Sequence, residues 1–242
     1  DMAGLDYPSV QYQNANNSVR VTDEFMRAVE EDGSFDLVNR VDGEVAKTVQ
    51  ARELFGKLAQ AAWDCADPGI QYDDTINSWH TCPESGRITT SNPCSEYMHL
   101  DNSSCNLASL NLMKFRTAEG GFDSEKFVQA VELIITAMDI SISFADFPTE
   151  KIKEGSRTYR QLGIGYSNLG ALRMSMGRAY DSDGGRALAA SVTSRMSAVS
   201  YRRSAELAEV VGPYDGFARN REAHLDVVSR HGVANANAQR VE

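Results

Sequence analysis

The chain contains little cysteine, proline or tryptophan. Of its 242 residues, four are cysteine, six are proline and two are tryptophan. Four cysteines are too few for a disulfide scaffold at this length, so we expect a reducing, cytoplasmic setting. No run approaches about 18 consecutive apolar residues, which argues against a membrane-spanning helix. The opening residues, Asp1-Met2-Ala3-Gly4, lack the basic and apolar regions of a signal peptide.

Basic residues are also fewer than acidic ones. The chain has 24 Lys and Arg against 34 Asp and Glu, which gives a formal net charge of −10. An acidic surface disfavours non-specific binding to nucleic acid and to anionic membranes, because both are polyanions. The content of 42% hydrophobic and 24% charged residues is typical of a globular protein. Because the chain lacks an initiator Met and a recognisable closing element, we expect it to be a piece of a longer protein.

Helical and strand patterns alternate along the chain, which predicts the α/β class. Thr22 is a predicted helix N-cap, and the Asp-Gly pair within 41–45 predicts a hairpin. The strongest apolar periodicity predicts a helix over Ser124–Phe144. Further predictions are a helix over 54–65, a strand over 69–76, a polar loop over 77–111, a strand over 162–166, and helices over 168–176, over 182–210 and from 217 onward.

The polar stretch over 77–111 holds three of the four cysteines and two histidines, and long loops of this kind tend to be functional. One interpretation is a zinc site, but the usual Cys-x₂₋₄-Cys and His-x₃₋₅-His pairs are missing. A second is a cysteine nucleophile, Cys94, with His99 as its base. We expect Cys65 and Cys82 to be small buried hydrophobic residues.

A glycine pattern in the second half of the chain has a superficial likeness to a dinucleotide-binding fingerprint. Gly163 and Gly165 are followed by Gly170, which gives G-x-G-x₄-G rather than G-x-G-x-x-G. No acidic residue stands at the expected distance on a second strand. We therefore predict packing glycines at a strand-to-helix turn.

The most informative motif is Asn92–Glu96, with Cys105 eleven residues after Cys94. It resembles the radical-cysteine loop of ribonucleotide reductases. The Asn-Pro-Cys-x-Glu form and the position of the second cysteine are most similar to the adenosylcobalamin-dependent class II enzymes. Other segments resemble this family in the same order along the chain: Asn16–Val19, Thr22–Met26, Asp67–Ile70, Asp74–Asn77, Gly163–Tyr166 and Tyr180–Ser182.

The resemblance implies a fold, an activity and a set of partners. Residues 1–242 would be a central part of the ten-stranded α/β barrel of this family, with the radical-cysteine loop at about 90–111. The implied activity is that of a vitamin B12-dependent ribonucleoside-diphosphate reductase, which makes deoxyribonucleotides for DNA synthesis; diphosphate and triphosphate substrates both remain open. The implied cofactor is adenosylcobalamin. The implied partners are a ribonucleotide substrate, dNTP or ATP effectors bound mostly outside this chain, an external thiol reductant such as thioredoxin, and a second copy in a homodimer.

The resemblance also implies a role for each residue of the motif. Cys94 would carry a thiyl radical that abstracts the ribose 3′ hydrogen, and Glu96 would accept the 3′-hydroxyl proton. Asn92 would hold the ribose hydroxyls. In an extended loop these three alternate residues share a face, so we expect one concave site with Cys105 close to Cys94. The residues expected to bind substrate are Asn92, Pro93, Cys94, Ser95 and Glu96.

Cys105 would be one half of a redox dithiol whose partner cysteine lies outside this chain. No metal ligand is expected, and His80 and His99 are expected to be hydrogen-bonded or solvated rather than bound to cobalt. Two other classes remain open. One is a non-catalytic domain that keeps part of the barrel without its chemistry. The other is a class I enzyme with a separate radical-generating subunit, which the short interval between Cys94 and Cys105 disfavours.

Overall fold

The computed structural model describes residues 15–237, which form two compact units. Unit 1 consists of residues 15–79 and 88–98, and unit 2 of residues 80–87 and 99–237. Both units combine a parallel pair of strands with helices, so the predicted α/β class is confirmed. The parallel strands of the described residues form two pairs and do not close a barrel.

Unit 1 is built around a parallel pair, β1 and β4, whose register places Arg20 opposite Gln71. Thr22 is the N-cap of the first helix, as predicted, since its hydroxyl oxygen accepts from Phe25 N. The predicted hairpin is also confirmed, with Gly43 at φ +76° in its turn. The elements of unit 1 are β1 (Ser18–Val21), α1 (Asp23–Glu30), β2 (Ser34–Val38), β3 (Val45–Gln50), α2 (Ala51–Cys65), β4 (Gly69–Tyr72), α3 (Asp73–Ser78) and β5 (Thr90–Ser91).

Two predictions for unit 1 are wrong. The strand expected over 69–76 ends at Tyr72, because Asp73 and Asp74 supply the acidic first turn that favours a helix. Cys65 is exposed rather than buried. It lies in the last turn of α2, whose buried residue, Ala51, is in the first turn, so the apolar stripe leaves the core before it reaches Cys65.

Unit 2 is organised around the parallel pair of β7 (Asn106–Asn111) and β8 (Leu162–Ser167); α4 (Ser124–Phe144) packs on this pair, and α7 (Asp183–Val211) packs on α4. The helix predicted over Ser124–Phe144 is confirmed, and so are the strand and helices predicted after residue 160. β6 (Met98–His99) spans the boundary of the two units in sequence. The other elements are short 3₁₀ helices at Pro83–Ser85 and Leu112–Phe115, and α5 (Glu150–Tyr159), α6 (Leu169–Ser175) and α8 (Phe217–Asn237).

The polar loop predicted over 77–111 is wrong at its carboxyl end, where residues 106–111 form β7. The partner strand of β7 is β8, which begins at Leu162. A strand with such a distant partner and with Asn and Ser among its residues has no strong local signal. The prediction that Cys82 is buried is confirmed, with 2% of its surface exposed.

α4 is the central helix of unit 2 and is long and apolar enough, by length and composition alone, to cross a membrane. One stripe of its surface is nevertheless buried in the core of the unit, against the 3₁₀ helix that follows β7 and against α7. One face of α4 thus lies in the core of unit 2, whereas Leu133, Ile140 and Phe144 on the same helix are exposed. The buried residues of the stripe are Phe127, Val131, Ile135, Met138 and Ile142.

Two isoleucines on α4 provide a matched test of this packing. Ile135 is 4% exposed, whereas Ile140 on the same helix is 54% exposed. We expect Ile135→Ala to lower the free energy of unfolding by about 2–5 kcal/mol, because it leaves a cavity in the core. Ile140→Ala should change it by less than about 0.5 kcal/mol. Urea unfolding of the two variants would measure this, and equal losses would contradict the assigned core.

Candidate active site

The residues around Cys94 form a tight turn rather than the extended loop that the sequence predicted. Ser95 N donates to Asn92 O at 3.1 Å, which closes a β-turn with Pro93 and Cys94 at its two central positions. Asn at the first position and Pro at the second are typical of such turns, so a local signal for the turn was present. The argument that Asn92, Cys94 and Glu96 share a face by strand alternation is therefore wrong.

Asn92 closes the loop with both its backbone and its side chain. Its Oδ1 accepts from Tyr97 N at 2.9 Å, and its own N donates to Tyr97 O at 3.4 Å. Its Nδ2 donates no hydrogen bond within residues 15–237. The amide of Asn92 thus has donors to offer a ligand, while its oxygen already accepts a hydrogen bond from the loop.

The side chains of Cys94 and Glu96 are exposed, and that of Asn92 is half-buried. A thiol and a carboxylate two residues apart on a closed turn are accessible to a small molecule. That these residues form one concave site close to Cys105 remains a prediction.

Serine side chains attach the turn to the sheet of unit 1. Ser95, at φ +65°, has the left-handed conformation that non-glycine residues adopt only at some cost. Its Oγ accepts from Gln71 Nε2 at 3.0 Å, and Ser91 Oγ accepts from the same nitrogen at 2.6 Å. Gln71 Oε1 accepts in turn from Arg20 at 2.8 Å. The hydroxyl of Ser95, expected from the sequence to meet substrate, therefore lies toward β4.

In unit 2, Cys105 lies on the face of the β7–β8 sheet that is opposite to α4. The next residue, Asn106, donates from Nδ2 to Met138 O at 2.8 Å and to Ser141 Oγ at 2.6 Å, both on α4. Because successive side chains of a strand alternate, Cys105 and Leu107 have the opposite direction. Cys105 is partly exposed and forms no disulfide with another cysteine of the described residues.

Gly163 leaves room beside the sulfur of Cys105. A Cβ at this position would lie 2.6 Å from Cys105 Sγ and would also collide with the end of the Leu107 side chain. At Gly165, two residues further along β8, the nearest atom to such a Cβ is Ser109 Oγ at 3.9 Å. The prediction of a packing role is supported for Gly163, which packs against the side chains of Leu107 and Cys105.

The segment before Cys105 is held by α5. Ser104 and Ser156 share a hydrogen bond of 2.6 Å between their hydroxyls, and Ser156 is 1% exposed. A Cβ on Gly155 would collide with the backbone oxygen of Asn102, so only glycine allows this approach. A buried hydroxyl pair and a backbone contact therefore fix the chain just before the thiol.

The two histidines of the polar stretch lie side by side in unit 2, with ring centroids 5.6 Å apart. His80 uses both ring nitrogens, since Nδ1 accepts from Cys82 N at 3.3 Å and Nε2 lies 3.0 Å from Gly86 O. His99 Nδ1 lies 2.7 Å from Gln161 Nε2. Burial, and secondarily the neighbouring His80, lowers the pKa of His99 to about 4. The expectation of hydrogen-bonded histidines is supported.

The described residues contain no group of three or more His, Cys, Asp or Glu side chains that could hold a metal ion. His80 in particular has no ring nitrogen left for a metal, because both are hydrogen-bonded in a buried position. The zinc interpretation of the polar stretch therefore has no support from its histidine and cysteine geometry.

Sequence reasoning missed Gln71 and Arg20. The available signal was weak: each is a polar residue between two apolar ones in a short strand. Only the parallel register, which joins residues about fifty positions apart, shows that the two lie opposite each other. Ser156 was missed for the same reason, since its partner Ser104 is 52 residues away.

Comparison with known proteins identifies the protein family of the chain. Residues 7–239 match the family described as ribonucleotide reductase, barrel domain. The match covers nearly the whole chain, and the chain belongs to this family.

The names of three relatives within this family all include vitamin B12. The chain is 67% identical, over its whole length, to the vitamin B12-dependent ribonucleotide reductase of Streptomyces coelicolor, of which it covers 25%. It is 49% identical to the enzyme of the same name from Agrobacterium fabrum, over 93% of this chain and 18% of that protein. It is 35% identical to the vitamin B12-dependent ribonucleoside-diphosphate reductase of Mycobacterium tuberculosis, over 86% and 30%. The chain thus spans about a quarter of the length of these relatives.

The pKa of His99 predicts how stability depends on pH. The unfolded imidazole titrates near 6.5 and the folded one at about 4, so the unfolded state binds more protons between these values. The stability associated with neutral His99 is complete above pH 6.5, and we expect it to be lost progressively as the pH falls toward 4.

Thermal unfolding at pH 5 and pH 7 would measure this loss, with His99→Gln as the comparison. The variant has no imidazole at this position and should lose less stability on acidification than the wild type. Between pH 7 and pH 8 the two proteins should have the same slope. Identical slopes from pH 7 to pH 5 would contradict the lowered pKa.

Proposed function

We propose that this chain is the part of an adenosylcobalamin-dependent ribonucleotide reductase that carries the radical cysteine. The observation that carries the proposal is the turn at Asn92–Ser95. It presents the exposed thiol of Cys94 next to the exposed carboxylate of Glu96, in a chain that belongs to the barrel-domain family. A ribonucleotide is the substrate we propose for this turn.

Cys94 begins and ends the reaction. As a thiyl radical it abstracts the hydrogen from C3′ of the ribose, because an S–H bond is of comparable strength to an activated C–H bond. When reduction is complete, its S–H returns a hydrogen atom to C3′ and the thiyl radical is restored. The turn supports this role because it leaves the sulfur exposed while the backbone around it is hydrogen-bonded.

Glu96 is the proposed general base. It accepts the proton of the 3′ hydroxyl, while the 2′ hydroxyl takes a proton from the dithiol that includes Cys105 and leaves as water. Its position two residues from Cys94 keeps Glu96 within reach of the same ribose. Asn92 contributes as a donor, because its Oδ1 is engaged with Tyr97 N and its Nδ2 is not engaged among the described residues. A neutral amide binds a ribose hydroxyl without competing for the proton.

Cys105 is proposed as one thiol of the pair that supplies the two electrons. The dithiol gives up two electrons and two protons and becomes a disulfide, and the ribonucleotide becomes a deoxyribonucleotide plus one water. The partner cysteine is proposed to lie outside this chain. The thiol of Cys105 is partly exposed on the sheet face opposite α4, which supports this role.

The proposed cofactor is adenosylcobalamin, which supplies homolysis of its cobalt–carbon bond and so the radical that Cys94 receives. Both ring nitrogens of His80 are hydrogen-bonded, so His80 is not among the residues that we propose would hold this cofactor. The exposed thiol of Cys94 would be accessible to such a cofactor.

The remaining partners follow from the same proposal. An external thiol reductant such as thioredoxin would regenerate the dithiol after each turnover. Effector dNTPs or ATP would act through parts of the protein outside this chain, and the cytoplasm would be the compartment that keeps the thiols reduced.

Glu96→Gln in the full-length protein tests the proposal. The amide cannot accept the 3′-hydroxyl proton, so we expect deoxyribonucleotide formation to fall by about 10²–10⁴-fold, the usual contribution of a positioned general base. Cobalt–carbon cleavage, followed by stopped-flow absorbance, should survive because it does not need this carboxylate.

Glu44→Gln is the matched control, because Glu44 is an exposed glutamate in the hairpin loop of unit 1. It should reduce nucleotides at the wild-type rate. A wild-type protein that forms no deoxyribonucleotide with cofactor and dithiothreitol would refute the function and favour the non-catalytic class. Full turnover by Glu96→Gln would remove Glu96 from the mechanism.

Gly163→Ala tests the role of Cys105. The alanine Cβ would lie 2.6 Å from Cys105 Sγ, and the atoms that it meets too closely are side-chain ends that can rotate. We therefore expect the strand to persist and the thiol to move. A displacement of about 1 Å can cost on the order of 10²-fold in rate, which is the loss we expect in turnover.

The measurement is deoxyribonucleotide formed in a single turnover without external thiol, when the electrons come from the internal dithiol alone. Gly165→Ala is the control, because its Cβ would meet its nearest atom at 3.9 Å. The control should keep the wild-type yield. Equal yields from both alanine variants would argue against Cys105 as a redox thiol.

A further inference from the structure

A buried glutamine supports the turn that carries Cys94. Gln71 lies within β4 and is 7% exposed. Its Nε2 donates to Ser91 Oγ at 2.6 Å and to Ser95 Oγ at 3.0 Å. Because Ser95 directly follows Cys94, the amide acts one residue away from the thiol.

Arg20 determines which way this amide points. A guanidinium can only donate hydrogen bonds, and Arg20 Nη2 donates to Gln71 Oε1 at 2.8 Å. The amide oxygen therefore faces β1, and the amide nitrogen faces the serines. Arg20 is itself fixed by Asp73, whose Oδ1 lies 3.1 Å from its Nη1, and both side chains are largely buried.

The network continues from the serines into the backbone of the turn. Ser91 Oγ donates to Asn92 O at 2.7 Å, and this oxygen also accepts the Ser95 N–H that closes the turn. Ser95 has the less favourable left-handed conformation, which persists only where surrounding contacts determine it. The hydrogen bonds from Gln71 are contacts of this kind.

We propose that Gln71 is a positioning residue that fixes the Cys94 thiol through Ser91 and Ser95, with Arg20 fixing Gln71. This inference rests on the proposed function, since the placement of Cys94 affects turnover only if Cys94 reacts with substrate. Gln71 itself touches neither substrate nor the reacting atoms in this proposal.

Gln71→Met in the full-length protein is the primary test. Methionine keeps the length of the side chain and removes all three hydrogen bonds of the amide. We expect kcat to fall about 10²-fold, as for a misplacement of about 1 Å, with KM unchanged. Gln60→Met is the matched control. Gln60 is exposed on α2, and its amide bonds Asp64 one turn along the same helix.

A conservative variant and a double variant separate positioning from general destabilisation. Gln71→Glu still accepts from Arg20, and the Ser95 hydroxyl can rotate to donate to its carboxylate while Ser91 keeps its bond to Asn92 O, so it should recover part of the lost kcat. Gln71→Met combined with Ser95→Ala should be no slower than Gln71→Met alone, because both changes break the same interaction. Additive losses would overturn the proposal.

A chemical readout does not depend on reductase activity. Alkylation by iodoacetamide, followed by peptide mass spectrometry, compares Cys94 with Cys65, since both thiols are exposed. In Gln71→Met the rate at Cys94 relative to Cys65 should change, while Gln60→Met keeps the wild-type ratio. If the wild type proved not to be a reductase, the proposed function would fail and this ratio would still decide whether Gln71 positions Cys94.

Wild-type kcat together with a wild-type alkylation ratio in Gln71→Met would overturn the inference. If Gln71→Met fails to fold, the double variant Ser91→Ala/Ser95→Ala replaces it, because it removes both acceptors while Gln71 and Arg20 remain paired. The expected result is the same fall in kcat with KM unchanged, and a wild-type kcat would again overturn the proposal.

Discussion

Parallel strand pairing is the constraint on which both units depend. Two parallel strands cannot be joined by a tight turn, so the chain must cross over between them. In unit 1 the chain from β1 to β4 forms α1, the β2–β3 hairpin and α2, and in unit 2 the chain from β7 to β8 forms α4 and α5. Residues far apart in sequence become neighbours as a result, and the supports of both cysteines are of this type.

The thiols of Cys94 and Cys105 are each supported by a different device. Around Cys94 the device is polar: Gln71 and the two serines direct a chain of hydrogen bonds at the turn. Around Cys105 it is mainly steric, because Gly163 leaves space for the sulfur and Gly155 lets α5 approach the preceding backbone. A turn needs directional contacts to hold its shape, whereas a residue at the start of a strand is already oriented by the sheet.

Most elements of the fold could be predicted from local sequence patterns. Features that depend on residues distant in sequence could not. The helix over Ser124–Phe144 has a strong apolar period and was predicted to the residue. β7 was missed, because its strand character depends on β8 rather than on its own composition. In the candidate site, the motif pointed to Cys94 and Glu96, whose roles stay predictions, and its Asn-Pro pair carried a signal for the turn, whereas nothing local pointed to Gln71. Asn92 was predicted, although its oxygen closes the loop instead of facing outward.

Burial divides the candidate site into a support and a reactive end. Gln71, Arg20 and Asp73 are largely buried, whereas Cys94 and Glu96 are exposed. Buried hydrogen bonds are stronger and lose more when a partner is removed, so the support resists the movement of the turn. An exposed thiol and carboxylate can meet a substrate without the cost of opening the fold. One side chain could not easily be both precisely placed and freely accessible. In this network, buried residues provide the placement, and the exposed residues Cys94 and Glu96 provide the access.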